Sequence, residues 1–173
     1  MLPLADITAK PDPSHMIAYL AGFFDGEGCI RVMCNRAPTR KGQSPVYRLL
    51  AIVNQRADHA MPLHLLKEAF GGNVVKGGNQ QGKANPTLSW QIAGKPAANA
   101  IQLMLPYLTV KRAAAYAGLA FHHWKEIMME FRPSGKRLTP FEIMTGETFT
   151  KFFYAINSRE LLVKQPVASE IVQ

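Results

Sequence analysis

Apolar and polar residues alternate along the chain with two periods, one typical of helices and one typical of strands. Residues 15–25 carry apolar or small side chains on nearly every side, which predicts a helix that begins at a Ser14 cap, ends at Gly26 and is buried on more than one side. Residues 29–36 alternate regularly, which predicts a half-buried strand, and residues 46–54 are expected to form a second strand after a polar turn.

The same pattern continues towards the carboxyl end of the chain. A helix capped near Asp58 is expected over residues 61–70, ending at Gly71 and Gly72, and strands are expected at 73–76 and 87–93. A short helix over 97–105, a break at Pro106, a long helix over 110–131 and a final helix that opens with a capping box at 139–142 complete the chain. The predicted order is αββαββα with extra C-terminal helices, an α+β fold with a four-stranded antiparallel sheet and helices on one face. We expect a flexible N-terminal arm over residues 1–13, one domain over 14–157 and a tail over 158–173.

Charge narrows the range of partners. The 173 residues have a formal net charge of +8, and residues 30–95 alone contain ten basic and two acidic residues. A basic surface of this kind favours a polyanion such as nucleic acid. No apolar stretch is long enough to span a membrane, and the first residues do not have the pattern of a signal peptide. We therefore expect an intracellular protein that is neither secreted nor bound to a membrane, located in an organelle or in a prokaryotic cytoplasm.

The second face of the sheet carries most of the candidate DNA contacts. A two-stranded ribbon fits the major groove of B-form DNA, where basic and amide side chains contact base edges. The alternative is an ordinary solvated sheet face. The candidates on the strands are Arg31, Met33, Asn35, Arg48, Ile52, Asn54, Lys76, Ser89 and Gln91, and those in the turns are Arg36, Arg40, Lys41, Asn79, Gln80, Gln81 and Lys83.

The end of the first predicted helix carries the candidate chemistry. Its small residues lie one turn apart, which would let a second helix approach closely. The glycines on either side of Glu27 permit a direct turn from helix into strand, and this turn would place the carboxylate where the helix end meets the sheet edge. Taken alone, Glu27 could be a surface acid near a turn. The residues of the small helix face, and the candidate dimer interface, are Ala18, Ala21, Gly22 and Asp25. Asp25 is expected to have a role either at the helix end or at this interface.

Residues 19–30, with the letters YLAGFFDGEGCI, resemble the signature of the LAGLIDADG homing endonucleases. The resemblance covers about residues 14–157 and implies a saddle-like sheet. It also implies site-specific, metal-dependent hydrolysis of duplex DNA that leaves 3′ overhangs during intron homing. Mg²⁺ would be bound by Glu27 and the carbonyl of Gly26, while Gln55 would position a water molecule and Lys111 would lie near the scissile phosphate. Lys111 alone would be an ordinary solvated lysine at a helix start.

Only one such motif is present in the sequence. A homodimer on a near-palindromic target is therefore expected, with one Glu27 for each DNA strand. Two other classes of function remain open on the same scaffold. One is a binding module, either a maturase for intron RNA, for which residues 132–137 offer a basic stretch, or a DNA-binding regulator that does not cleave. The other is a non-specific DNA-coating protein, which would bind all duplexes equally.

Overall fold

The computed structural model describes residues 12–35, 44–77, 86–133 and 136–157. All described helices and strands lie between residues 13 and 157, and their order is the predicted αββαββα followed by further helices. The α-helices are α1 (Pro13–Glu27), α2 (Met61–Phe70), α3 (Lys95–Met104), α4 (Arg112–Phe131) and α5 (Pro140–Asn157). The strands are β1 (Gly28–Asn35), β2 (Val46–Arg56), β3 (Asn73–Lys76) and β4 (Thr87–Ala93), and short 3-10 helices occupy Ala57–His59 and Leu105–Tyr107.

The four strands form one sheet in the order β1-β2-β4-β3, and every pair is antiparallel. In β2, Tyr47, Leu49, Ala51 and Val53 are all buried, so the predicted inner face of this strand is confirmed. The helices cover that face. The α+β architecture predicted from the sequence is therefore confirmed.

A large apolar core fills the space between the sheet and the helices. Trp90 from β4 has no exposed surface, meets the edge of Phe24 from α1 at a ring separation of 6.5 Å, and donates from Nε1 to the carbonyl of Gly71 at 2.8 Å. On the same side, Gly118 of α4 lies so close to Leu49 that an added Cβ would come within 2.9 Å of it. This close packing fixes the positions of α1 and α4 relative to the sheet.

Two predicted helix caps are wrong and one is confirmed. The side chain of Asp12, not Ser14, caps α1 by accepting from the backbone N–H of Ser14 at 2.8 Å. Ala60 occupies the N-cap of α2 without a side-chain bond, and Asp58 lies in the preceding 3-10 helix with its carboxylate paired with Arg56. At α5 the reciprocal capping box is present. The Oγ1 of Thr139 accepts from the Glu142 N–H at 3.2 Å, and the Glu142 carboxylate accepts from the Thr139 N–H at 2.7 Å.

Helix α5 packs along β1, which is the first strand of the sheet order. The side-chain amide of Asn157, in the last turn of α5, donates to the carbonyl of Ile30 at 2.9 Å. Near the other end of the helix, a Cβ added at Gly146 would lie 2.5 Å from the ring of Tyr47. The absence of a side chain at Gly146 therefore allows α5 to lie close to the sheet.

No helix in the described ranges has the length and apolar character needed to cross a membrane.

Candidate active site and DNA-binding face

The candidate site lies where α1 passes directly into β1. Glu27 is the last residue of the helix and Gly28 is the first residue of the strand, with no loop between them. A Cβ at Gly28 would lie 2.5 Å from the carbonyl oxygen of Phe24, so the direct turn requires glycine at this position. The turn places Glu27 at the end of the helix, as the sequence predicted, and leaves this residue exposed.

Asp25 anchors the segment that leads into α4. One carboxylate oxygen accepts from the backbone N–H groups of Thr109 and Val110, both at 2.9 Å, and the other accepts from the N–H of Lys111 at 2.7 Å. Three converging N–H donors make a strong, charge-assisted contact between residues far apart in the chain. Asp25 was predicted to lie at the dimer interface or the helix end. Its carboxylate lies at the helix end and accepts hydrogen bonds from residues of the same chain.

The anchor also affects the ionisation of Asp25. Partial burial on its own would raise the pKa of this carboxyl group, but the backbone N–H donors of Lys111, Val110 and Thr109 outweigh that effect. The pKa of Asp25 is therefore held below its ordinary value. The group is an anion at neutral pH, and this charge is what the N–H donors stabilise.

The side chain of Lys111 turns back towards the same helix end. Its ammonium group donates to the backbone carbonyl of Asp25 and, at 3.3 Å, to the carbonyl of Gly26. These carbonyls lie in the last turn of α1, where the helix dipole favours a positive charge. The structure thus brings Lys111, predicted from the sequence only by resemblance, into direct contact with the peptide unit that precedes Glu27.

Gln55 lies near the end of β2, two residues beyond Val53, which pairs with Gly28 at the start of β1. This places Gln55 at the end of the sheet where α1 ends. Its side-chain oxygen accepts from the backbone N–H of Arg56 at 3.0 Å, so it is held locally along the strand. The described contacts include none between Gln55 and Glu27, and the role of Gln55 stays a prediction.

The face of the sheet opposite the helices is polar and basic. Arg31, Asn35, Arg48 and Asn54 are exposed there, with Met33 and Gln91 half-buried between them. The predicted contact residues Arg36, Arg40, Lys41, Asn79, Gln80, Gln81 and Lys83 lie outside the described residues.

Three predicted members of this face need correction. Lys76 pairs with Leu88, and its neighbour Val74 pairs with the buried Trp90, so Lys76 is directed to the helix side of the sheet. Asn73 and Val75 take the open-face positions of β3. Ile52 and Ser89 do belong to the open face, but only 8% and 1% of their surfaces are exposed, so the expectation that they are accessible to DNA is wrong.

The small residues of α1 do not all share one exposed face. Ala21 is completely buried in the core, which rules out its predicted place in a dimer interface. Gly22 is exposed, and a Cβ added there would meet no atom within 4 Å. Ala18 is half-buried and Tyr19 is 53% exposed, so the accessible stripe runs through Ala18, Tyr19, Gly22 and Gly26.

A sequence model of the LAGLIDADG endonuclease family matches residues 20–128, which include the second half of α1, the whole sheet and most of α4. The chain belongs to this family. Its members are homing endonucleases, enzymes that cleave DNA. The LAGLIDADG motif of this chain is therefore the segment that forms α1 and the α1–β1 junction. The comparison with curated proteins finds no match.

Solved structures of LAGLIDADG enzymes share the fold of this chain. I-CvuI, crystallised in complex with its target in the presence of 2 mM Ca, is 21% identical with a TM-score of 0.56, and the match covers 82% of this chain and 96% of I-CvuI. I-AabMI bound to uncleaved DNA is 16% identical with a TM-score of 0.61, and the match covers 82% of this chain and 46% of I-AabMI. The chain thus spans nearly all of I-CvuI and about half of I-AabMI.

The LAGLIDADG junction offers oxygen ligands that suit a hard cation. The carbonyls of Asp25 and Gly26 already accept from an ammonium group, which shows that a positive charge is stabilised at this point. Glu27 follows with a carboxylate that no described side chain contacts. Carboxylate and carbonyl oxygens are the ligands that Mg²⁺ and Ca²⁺ prefer. Within the described residues, however, no three His, Cys, Asp or Glu side chains converge to form a metal site.

The contact between Asp25 and residues 109–111 was not predicted from the sequence. The acceptors and donors are 84 to 86 positions apart, and the donors are backbone groups, which leave no pattern in the side-chain sequence. One sequence feature could have indicated this contact. It is an acidic residue at the end of one helix together with a turn, far along the chain, that precedes another helix. Such a signal fits many alternatives.

Proposed function

We propose that this LAGLIDADG protein is a homodimeric, site-specific endonuclease that hydrolyses both strands of a near-palindromic duplex and leaves 3′ overhangs during intron homing. The observation that carries the proposal is the exposed carboxylate of Glu27 at the α1–β1 junction, next to the Gly26 carbonyl and the Lys111 ammonium. This group of atoms lies at one end of the basic sheet face. An acidic side chain near bound phosphate is unfavourable unless it binds a cation. The presence of Glu27 at this position therefore favours a DNA-cleaving enzyme over a protein that only coats DNA.

The structure offers a surface for the dimer. The stripe formed by Ala18, Tyr19, Gly22 and Gly26 is accessible, and its glycines would let the backbone of a second α1 approach closely. A two-fold axis through this stripe would bring two copies of the α1 end, and therefore two Glu27 carboxylates, to the same region. The two carboxylates and the Gly26 carbonyls would then form the ligand set that one chain lacks.

Replacing Gly22 with leucine tests this interface. In one chain the new side chain meets open space, so we expect Gly22→Leu to fold normally by circular dichroism. In the dimer the side chain is added twice to a close helix contact, at about 1–3 kcal/mol each, which should weaken self-association by about thirtyfold or more. Sedimentation equilibrium measures this change. Ala113→Leu, on an exposed part of α4, is the matched control, and a Gly22→Leu protein that still dimerises fully would exclude α1 as the interface.

The residues of the junction have separable roles in the proposed reaction. Mg²⁺ bound by Glu27 and the Gly26 carbonyl would lower the pKa of the attacking water and neutralise charge on the phosphate. The ammonium of Lys111, held at the adjacent carbonyls, provides a fixed positive charge close to the phosphate. Gln55, at the end of β2, can accept or donate a hydrogen bond and so orient the water. Asp25 holds the segment that carries Lys111.

The open face of the sheet supplies the proposed DNA contacts. The exposed side chains of Arg31 and Arg48 are cationic, and those of Asn35 and Asn54 are amides. Guanidinium groups contact phosphate oxygens or guanine, and amides contact adenine in the major groove. Lys76, on the helix side of β3, is not expected to contact bases.

Selection of cleaved sites from a randomised duplex library in the presence of Mg²⁺ tests the proposal as a whole. We expect one preferred site with two similar half-sites and staggered cuts that leave 3′ ends extended. Recovery of sites without symmetry would exclude the homodimeric arrangement. Sequence-independent recovery, or no cleaved product with a protein that binds all duplexes equally, would favour the coating function instead.

A further inference from the structure

A cavity lies on the helix side of the sheet, away from the α1–β1 junction. It has a volume of about 270 Å³ and is enclosed by the start of β2, the second half of α4 and the start of α5. Val53, at the junction, lies seven positions along β2 from Val46, at the cavity. At about 3.3 Å per residue the two sites are about 23 Å apart along the strand.

The walls of this cavity combine aromatic rings and positive charges. Tyr47 and Trp124 are the aromatic residues that line it, and Lys125, Arg132 and Lys136 are the basic residues. Trp124 is fixed in place because its ring packs against Phe121 and Phe149, with centroids 6.0 and 6.4 Å away. The rings therefore form a rigid apolar wall beside a group of cations.

The positive charge of the cavity is only partly balanced. Among the described residues that line it, Glu142 is the only acid, and its carboxylate is already bonded to Arg132 and to Thr139 at the α5 cap. Among the described residues, neither Lys125 nor Lys136 is in an ion pair. Burial, followed by the nearby charges of Arg48 and Arg132, lowers the pKa of Lys125. An anion in the cavity would relieve this repulsion between cations.

Arg132 has hydrogen-bonding capacity that the fold does not use. One Nη group donates to Glu142, but the Nε is buried and has no hydrogen-bond partner. An unpaired buried donor is costly, and a bound acceptor would remove the cost. Cations with an unsatisfied donor thus lie beside aromatic rings in one cavity.

We propose that this cavity binds a nucleotide, with the base against Trp124 and Tyr47 and the phosphate against Lys125, Lys136 and Arg132. A flat base stacks well on aromatic side chains, and a phosphate suits a group of Lys and Arg. The volume is slightly below that of typical small-ligand sites, which matches one pyrimidine ring with its phosphate at the mouth. The nucleotide is either a free mononucleotide or an unpaired nucleotide of a strand. The proposal goes beyond DNA cleavage and does not depend on it.

Fluorescence titration of the full chain tests the proposal. The chain has two tryptophans, and Trp90 is completely buried, so ligand-dependent quenching reports on Trp124. We expect saturable quenching by uridine 5′-monophosphate and much weaker effects of uridine or inorganic phosphate alone. Lys125→Met and Lys136→Met should each weaken binding about tenfold, the effect of losing one charge-assisted hydrogen bond. Both variants should cleave DNA normally.

Lys67→Met, at an exposed position of α2, is the matched control and should bind like the parent protein. A single-stranded RNA of eight uridines distinguishes the two possible ligands, a free mononucleotide and an unpaired nucleotide of a strand. Tighter binding of the RNA than of the mononucleotide identifies a strand as the ligand, and equal or weaker binding identifies a free nucleotide. Phosphate that binds as well as the mononucleotide, an absence of quenching by both nucleotide probes, or an equal loss of binding in Lys67→Met would overturn the proposal.

Discussion

Glu27→Gln should bind its target duplex with nearly unchanged affinity and cleave it at least about a thousandfold more slowly than the parent protein. The carboxamide has the same shape as the carboxylate but no charge, so it is a poor ligand for a hard cation. Because the side chain is exposed and contacts no described partner, its replacement should leave the fold intact. Single-turnover cleavage and gel-shift measurements on the same duplex separate the two effects.

Glu68→Gln is the matched control for this result. Glu68 is an exposed acid on α2, so the change removes the same charge from the protein without altering the α1–β1 junction. It should cleave at the parent rate. Cleavage by Glu27→Gln at more than about a tenth of the parent rate would remove Glu27 from the proposed metal site, and loss of binding by that variant would indicate a structural role instead.

Asp25→Asn should reduce both stability and cleavage. In the parent protein one carboxylate oxygen accepts from Thr109 and Val110 and the other accepts from Lys111. An amide has only one oxygen to accept these bonds, and its NH₂ group would face a backbone N–H donor at the other position. We expect a loss of about 2–3 kcal/mol in the free energy of unfolding, measured by urea denaturation. Cleavage should also fall, because the segment that carries Lys111 loses its anchor.

The pH dependence of unfolding gives an independent test of the same anchor. The pKa of Asp25 is lower in the folded protein, so its contribution to stability is complete above the unfolded pKa, near 3.9, and is lost as the pH falls through the folded value. The parent protein should therefore lose stability faster than Asp25→Asn below about pH 4. Asp58→Asn, which removes exposed pairs with Arg56 and His59, should lower stability far less than Asp25→Asn does at neutral pH. Equal stability of Asp25→Asn and the parent would show that the three N–H bonds do not stabilise the fold.

The order of helices and strands could be predicted because the period of apolar residues differs between them. The strand faces could be predicted where the two-residue period of a strand places a fully apolar set on one side. In β2 this period places Tyr47, Leu49, Ala51 and Val53 on one face, and these four belong to the apolar core, although Leu50 and Ile52 on the opposite face are buried too. In β3 two valines are adjacent, so the pattern does not decide which one is buried. The pairing with β4 decides it, and Lys76 consequently lies on the helix side.

The features of the candidate site also differ in how well the sequence predicts them. Glu27 at the helix end is recognisable from a short motif, whereas Lys111, at the N-cap of α4, is predicted only by the resemblance to the family. The buried state of Ala21 depends on how α1 packs against the other helices, and small residues on a helix fit a core as well as an interface. Similarly, the cap of α1 could have been Asp12 or Ser14, since either side chain suits the position. Long-range packing and local competition between similar side chains are what the sequence pattern leaves undetermined.

The position of α5 has a consequence for solubility. A strand at the margin of a sheet has backbone N–H and C=O groups with no neighbouring strand, and these groups can template pairing with another chain. Along β1 the helix occupies this margin, and Asn157 satisfies the carbonyl of Ile30. At the opposite margin, β3 is only four residues long and ends in Lys76, which also discourages strand addition. Loss of α5 would thus expose the backbone groups of β1 and allow strands of other molecules to pair with it. Helix α5 therefore prevents edge-to-edge aggregation of the sheet as well as stabilising the fold.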